Sequence, residues 1–170
     1  MSGLRTSVAA IMLAAPMALA ANAEVMHHLS VKDMVAIMEQ NDWPHDVQSN
    51  KETGDPVVTF EAEGYKIVMR AVDCAATQCE AMMVFANFDV GRPVGIADFL
   101  AVSDFNDANI RGRSYVNIQE NKIGLDLVVD LRGGVTADHV LGKVTQFPTL
   151  VTDFLAHYVQ FSEQLAAQQR

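Results

Sequence analysis

The first regular pattern of apolar residues in the chain predicts a short amphipathic helix. Apolar side chains recur at three- and four-residue intervals, at Val31, Met34, Val35 and Met38. Ser30 precedes this run and can cap the first turn with its hydroxyl. Residues 41–44, Asn-Asp-Trp-Pro, end the helix because the residue before a proline disfavours helical backbone angles. Residues 46–56 are polar and rich in turn formers, and they are predicted to form a loop.

Three strands are predicted to follow this loop. Residues 57–62 are rich in β-branched and aromatic side chains, and apolar and polar residues alternate from position 65 to position 70. Residues 81–88 are almost continuously apolar, which is typical of a central strand that is covered on both faces. If the second and third strands form a hairpin, Cys74 and Cys79 face each other across its end.

A second helix and two further strands are predicted in the middle of the chain. Helical spacing begins at residue 96 and ends near Asn109. Residues 115–119 and 123–129 form the strands. The second of these places Asp126 and Asp130 on the face opposite its apolar side chains.

The last predicted element is a long helix that starts after a Gly-Gly break. Thr136 caps it, and Pro148 is expected to kink it or to split it in two. The order of elements is therefore helix, three strands, helix, two strands, helix. This order predicts an α+β fold with helices packed on a single antiparallel-rich sheet of about five strands.

Residues 1–23 have the pattern of a cleavable secretory signal. Arg5 supplies a positive charge, residues 8–20 form an apolar run, and Ala-Asn-Ala at 21–23 offers small residues for cleavage. An earlier cut, at the end of the apolar run, is the alternative position. A retained membrane anchor is the alternative fate, although the run is shorter than the roughly 20 residues that span a bilayer. We expect residues 24–170 to form one domain, exported to a bacterial periplasm, with no membrane span after cleavage.

The composition narrows the classes of partner. Half of the residues are apolar and 19% are charged, which is typical of a globular domain. The formal net charge is −9. A surface of this sign repels phosphate backbones and anionic lipid headgroups, so we expect no nucleic acid and no membrane surface as a partner.

The two cysteines of the chain, Cys74 and Cys79, agree with export. Two cysteines this close together are expected to form a disulfide in an oxidising compartment. A zinc site would need at least two further ligands, and a redox motif normally has two residues between its cysteines rather than four. The sequence therefore predicts a structural disulfide.

Several short motifs together indicate a family resemblance. Their residues are Asp104-Phe105-Asn106, Arg111, Arg113, Tyr115, Asp-Leu-Arg-Gly-Gly-Val-Thr at 130–136, and Phe154. In this combination the chain resembles the YbjN-domain family over about residues 25–165, and the Cys74 and Cys79 pair resembles its exported members. The family often has Trp-Asn where this chain has Phe105-Asn106. The resemblance implies a fold similar to type III secretion chaperones, a link to sensory regulation, and peptide binding.

No residue cluster predicts a metal site. His27 and His28 lie beside the predicted new N-terminus, but a copper site there would need histidine as the third residue. The remaining histidines, His45, His139 and His157, lack the short spacings of metal-binding helices. Residues 104–109 partly match a calcium loop, but the glycine and glutamate that such a loop requires are missing. We expect neither a metal nor a cofactor.

Other candidate sites have simpler explanations. Arg132 and the two glycines after it could hold an anion at the start of the last helix, with Arg111 and Arg113 as helpers. A turn that needs positive φ explains the glycines equally well, and the arginines can pair with carboxylates. No nucleophile motif is present, and Asp126 with Asp130 is weak evidence for a glycosidase.

The sequence therefore predicts a non-catalytic domain that binds an unknown protein or peptide. A second copy of the chain, in a homodimer, is one such candidate partner. Methionines suit a surface that repacks around varied ligands. The predicted binding surface comprises Met34, Met38, Arg111, Arg113 and Arg132. Met82 and Met83 are expected instead to fill the core of the central strand.

Two other classes of function remain as alternatives. One is a small hydrolase or metal-dependent enzyme, which would show a deep pocket that gathers His139, Asp130 and Arg113. The other is a structural or stress-related protein without a discrete ligand.

Overall fold

Eight strands and three helices make up residues 25–168, the part of the chain that this computed structural model describes. The predicted signal, residues 1–23, lies outside the described residues. The strands are β1 Val25–Met26, β2 His45–Ser49, β3 Pro56–Ala62, β4 Tyr65–Ala75, β5 Gln78–Asp89, β6 Arg113–Asn117, β7 Lys122–Asp130 and β8 Val135–Thr136. The helices are α1 Val31–Gln40, α2 Ile96–Ala108 and α3 Ala137–Gln168.

The main sheet is antiparallel throughout and has the strand order β2-β3-β4-β5-β7-β6, while β1 and β8 form a separate pair. The α+β class and the antiparallel sheet agree with the sequence prediction. The sheet has six strands rather than about five, because β2 forms where a loop was predicted. All five residues of β2 are exposed at the sheet edge, so no alternation of apolar residues marks this strand in the sequence.

Helix α1 forms where the first apolar pattern predicted it. The hydroxyl of Ser30 accepts a hydrogen bond from the backbone N–H of Asp33, whose carboxylate accepts one from the backbone N–H of Ser30 at 2.7 Å. Met34 and Met38 are fully buried in the hydrophobic core. The expectation that these two methionines line an exposed binding surface is therefore wrong. The apolar face of this short helix is needed to cover the sheet.

All three helices contribute to one hydrophobic core on one face of the sheet. Helix α3 runs through Pro148 as a single element of 32 residues, so the predicted split does not occur. The hydroxyl of Thr136 accepts a hydrogen bond from the backbone N–H of His139 at 3.2 Å, which confirms the predicted cap. Phe147, Val151 and Phe154 anchor α3 in the core.

A disulfide joins Cys74 to Cys79 at the end of the β4–β5 hairpin, as the sequence predicted. The backbone N–H and C=O of Cys79 bond to Leu29 at 2.9 and 2.8 Å. Cys74 and Cys79 are therefore a non-hydrogen-bonded strand pair, the kind in which side chains lie closest. Because Leu29 is fully buried, this end of the hairpin also holds the N-terminal segment onto the core.

Candidate functional site

The main sheet has one face that points away from the helices, here called the outer face. Met82 and Val84 of β5 are fully buried on the helix side, whereas Met83 and Phe85, which alternate with them, are half-buried on the outer face. The prediction that this central strand is covered on both faces is therefore wrong. Its apolar outer residues have the composition of a buried strand, but no helix lies over them among the described residues.

The outer face carries a group of four apolar side chains, here called the apolar patch, with Arg70 beside Met83 and Asp126 beside Phe85. Strand register places Val68 of β4 beside Phe85, and Met83 beside Val128 of β7. Met83 and Phe85 are two residues apart and so share this face. The side chain of Val128 is the most open of the four, at 56% exposed. An open sheet face normally carries polar residues, so this patch is a candidate surface for a partner.

A cavity of about 650 Å³, here called the notch, adjoins the patch where β6 begins. Met83, Val128, Ile110, Arg111 and Lys143 are among the residues that line it. Ile110 is almost fully exposed. The notch therefore brings Arg111, a predicted site residue, next to exposed apolar side chains and a lysine that the sequence analysis did not single out.

Arg113, the second predicted arginine of this region, is held by an ion pair. Its guanidinium donates two hydrogen bonds to the carboxylate of Asp126, at 3.2 and 2.5 Å. It also lies over the ring of Tyr115, whose hydroxyl donates to the side chain of Asn87. Burial raises the pKa of Tyr115 to about 12. Arg113 thus borders the apolar patch but is already paired.

The Tyr115 ring lies over Gly124 of the neighbouring strand. A Cβ atom at Gly124 would lie 2.5 Å from the ring and 2.6 Å from the side-chain oxygen of Asn87. Any larger residue would push Tyr115 away from the sheet. This close approach explains a glycine in the middle of a buried strand.

The family motif residues in α2 make contacts that join this helix to the rest of the fold. Phe105 packs edge-on against Phe154 of α3, with ring centroids 5.2 Å apart. The side-chain amide of Asn106 bonds to the backbone N–H and C=O of Ser114 in β6, at 2.8 and 3.0 Å. Asp104 lies 3.0 Å from the imidazole of His157. These contacts fasten α2 to the sheet and to α3.

Asp98, which sequence reasoning missed, is a buried acid at the start of α2. Its carboxylate accepts two hydrogen bonds from Arg92, one from the backbone N–H of Gly95, and one from the hydroxyl of Tyr158. The Arg92 guanidinium lowers the pKa of Asp98 to about 2. Burial raises the pKa of Tyr158 to about 12. The available sequence signal was an acidic residue three positions after a glycine N-cap.

Arg132, the third predicted arginine, pairs with Asp130 through three hydrogen bonds of 2.8 to 3.2 Å. These bonds lower the pKa of Asp130 to about 2. The backbone N–H of Gly134 donates to the carbonyl of Leu131 within the turn, and both Gly133 and Gly134 have positive φ. The positive φ angles of this turn therefore account for the two glycines, which is one of the two explanations that the sequence analysis gave for them.

The notch does not match the pocket expected of an enzyme in this chain. Arg113 lines it, but His139 and Asp130 do not. Both cysteines are bonded to each other. Within residues 25–168, no group of three or more His, Cys, Asp or Glu side chains is arranged to hold a metal ion.

None of the helices in the described residues is long and apolar enough to cross a membrane.

No curated protein and no solved structure matches the chain. The YbjN family, whose description reads "putative bacterial sensory transduction regulator", matches residues 30–158. This match covers most of the described domain, including α1, the whole main sheet and the first two-thirds of α3. The chain therefore belongs to the YbjN family.

Proposed function

We propose that this protein is a non-catalytic regulator that acts by binding another protein through the outer face of its sheet. The observation that supports this proposal is the apolar patch of Val68, Met83, Phe85 and Val128. These side chains lie next to one another, and no helix of the described chain covers them. The regulatory role is supported by the family description. The binding role rests on the patch.

The proposal includes export to the periplasm. Residues 1–23 carry the sequence pattern of a cleavable signal, and the Cys74–Cys79 disulfide is of a kind that persists in oxidising compartments. N-terminal sequencing of the protein from the cell envelope should give a chain that begins at Glu24. A chain that retains Met1 or Ser2 would contradict export by cleavage.

Site-specific photo-crosslinking in intact cells tests the binding role. A photoreactive residue at Val128, on the apolar patch, should crosslink to a specific protein band. The matched control is the same residue at Ile118, which is also exposed, at 62%, but lies in the β6–β7 turn. Equal crosslinking from both positions, or none from either, would contradict binding through the outer face. A band at twice the mass of the chain would identify the partner as a second copy.

A further inference from the structure

The apolar patch ends at a strand edge that no other strand covers. Strand β6 pairs with β7 only as far as the Arg113–Asp126 pair, whereas β7 continues to Asp130. On its other side, β7 pairs with β5 along the whole length of β7. Within the described part of the chain, residues 127–130 of β7 therefore have no strand partner on the β6 side.

The strand register shows which backbone groups face this open edge. Ser114 directs its N–H and C=O to Asn106 rather than to β7. Hydrogen-bonded and non-hydrogen-bonded pairs alternate along an antiparallel ladder, so Arg113 and Asp126 form a hydrogen-bonded pair. Two residues further on, Val128 must present its N–H and C=O to the same side, into the notch.

Gly112 explains why the chain before β6 leaves the edge open. A Cβ atom at Gly112 would lie 2.7 Å from the Leu150 side chain and 3.0 Å from the carbonyl oxygen of Asp126. The backbone therefore approaches α3 closely at this residue. Arg111, immediately before it, lies 3.6 Å from Asp153 of α3. The chain thus turns away from the plane of the sheet toward α3.

The helix side of the same edge carries positive charge. A small crevice on this side shares three lining residues with the notch, namely Arg111, Leu127 and Lys143. Lys143 forms no ion pair within residues 25–168, whereas Arg111 pairs with Asp153 at 3.6 Å. Lys143 is therefore available to an acidic group, whereas Arg111 also contacts Asp153 and Arg113 is committed to Asp126. The net charge of −9 makes such a local positive site distinctive.

We propose that an extended peptide segment of a partner protein adds to the sheet as a strand beside Val128. One apolar residue of this segment would exchange backbone hydrogen bonds with Val128 and place its side chain on the apolar patch. Because side chains alternate along a strand, the next residue would point to the helix side, where a carboxylate can meet Lys143 and Arg111. This inference rests on the proposed binding function and names the recognised chemistry: a Val-Glu-Val type of segment.

A fluorescent peptide, Thr-Val-Glu-Val-Thr, and its counterpart with lysine in place of glutamate are suitable probes. Fluorescence anisotropy with the purified chain should show binding of the glutamate peptide at least tenfold tighter than binding of the lysine peptide. The difference should shrink as salt concentration rises, because the charges lie near the surface. Lys143→Glu should remove or reverse this preference. No detectable binding of either peptide at 1 mM, or an equal affinity for both, would overturn the proposal.

Two substitutions at one position separate the backbone from the side chain. Val128→Ala keeps the N–H and removes most of the side chain, whereas Val128→Pro also removes the N–H that faces the notch. An edge position whose N–H has no strand partner tolerates proline. We expect Val128→Pro to bind the glutamate peptide at least tenfold more weakly than Val128→Ala. Equal affinities of the two variants would overturn strand addition.

Amide hydrogen exchange gives the same test without a substitution. In the free wild-type chain the Val128 amide should exchange quickly, and saturating glutamate peptide should slow it at least tenfold. An unchanged Val128 rate in the bound state would overturn strand addition even if the proline variant fails to fold. The proposed function is tested separately by photo-crosslinking: equal crosslinking from Val128 and Ile118 would contradict it. Crosslinking from Val128 alone, without slowed exchange, would leave a side-chain docking face and refute the added strand.

Discussion

The side-chain amide of Asn106 bonds to both backbone polar groups of Ser114, as a neighbouring strand would. Ser114 lies in β6, the edge strand of the main sheet, and Asn106 lies at the end of α2. The helix thereby closes part of an edge that would otherwise be open to another chain. On the same side of the sheet, the edge of β7 remains open at Val128, two residues beyond the last pair with β6.

Asn106→Ala should lower the free energy of unfolding by about 1 to 3 kcal/mol, because it leaves two backbone groups of β6 without partners. Asn106→Asp keeps the acceptor for the Ser114 N–H but loses the donor, so its loss should be smaller. Urea unfolding of the two variants and the wild type provides the measurement. A loss below about 0.5 kcal/mol for the alanine variant would show that water replaces the amide without cost.

Met38→Asp should unfold the domain, or lower its unfolding free energy by at least about 3 kcal/mol. Met38 is fully buried, and a carboxylate there would have no partner. Ala36→Asp, on the exposed side of the same helix, is the matched control and should shift the thermal midpoint by no more than about 3 °C. A folded Met38→Asp variant with an unchanged thermal midpoint would show that Met38 lies at the surface.

The Arg92–Asp98 pair should make stability depend on pH below pH 4. The pKa of Asp98 is about 2 in the folded chain, against 3.8 in an unfolded one. Its contribution is therefore fully present above about pH 4 and is lost as the pH falls toward 2. The shift corresponds to roughly 2 kcal/mol.

Comparison of wild type with Asp98→Asn by urea unfolding at several pH values measures this contribution. The difference in unfolding free energy should be largest near pH 7 and should decrease between pH 4 and pH 2. Tyr158→Phe, which removes one of the four hydrogen bonds to Asp98, should cost less and preserve the pH dependence. A difference that stays constant down to pH 2 would mean that Asp98 is not held ionised by Arg92.

Cys74→Ser should lower the unfolding free energy by roughly 2 kcal/mol, the chain-entropy value for so short a loop. The fold should persist, because the hairpin is also held by its strand pairing. Reduction of the wild type should reproduce the loss and leave the variant unaffected. Titratable thiols in the oxidised native protein would refute the disulfide itself.

Strands in which burial alternates are among the parts of the fold that the sequence predicted. Strands β3 and β4 show this alternation directly. Strand β2 could not be predicted, because all five of its residues are exposed. The burial of Met38 was also beyond sequence reasoning. A helical apolar stripe shows which face will be covered, but not whether the sheet or a partner covers it.

The candidate site depends on strand register, which no local pattern in the sequence specifies. The apolar patch exists because Val68 pairs with Phe85 and Met83 pairs with Val128. The notch exists because β6 begins opposite Asp126 while β7 continues. The sequence did single out Arg111 as a candidate for the binding surface, but Val128 and Lys143 could be recognised as candidates only after the strands were aligned.

The central claim is that a protein partner binds the outer face at the apolar patch. Its most direct test is the affinity of the partner identified by crosslinking for wild type, Val128→Asp and two control variants, measured by isothermal titration calorimetry. Ile118→Asp and Phe99→Asp introduce the same charge at exposed apolar positions in the β6–β7 turn and in α2. We predict at least tenfold weaker binding for Val128→Asp and unchanged binding for both controls, with all variants folded. Unchanged binding by Val128→Asp, or a loss confined to Phe99→Asp, would contradict the claim.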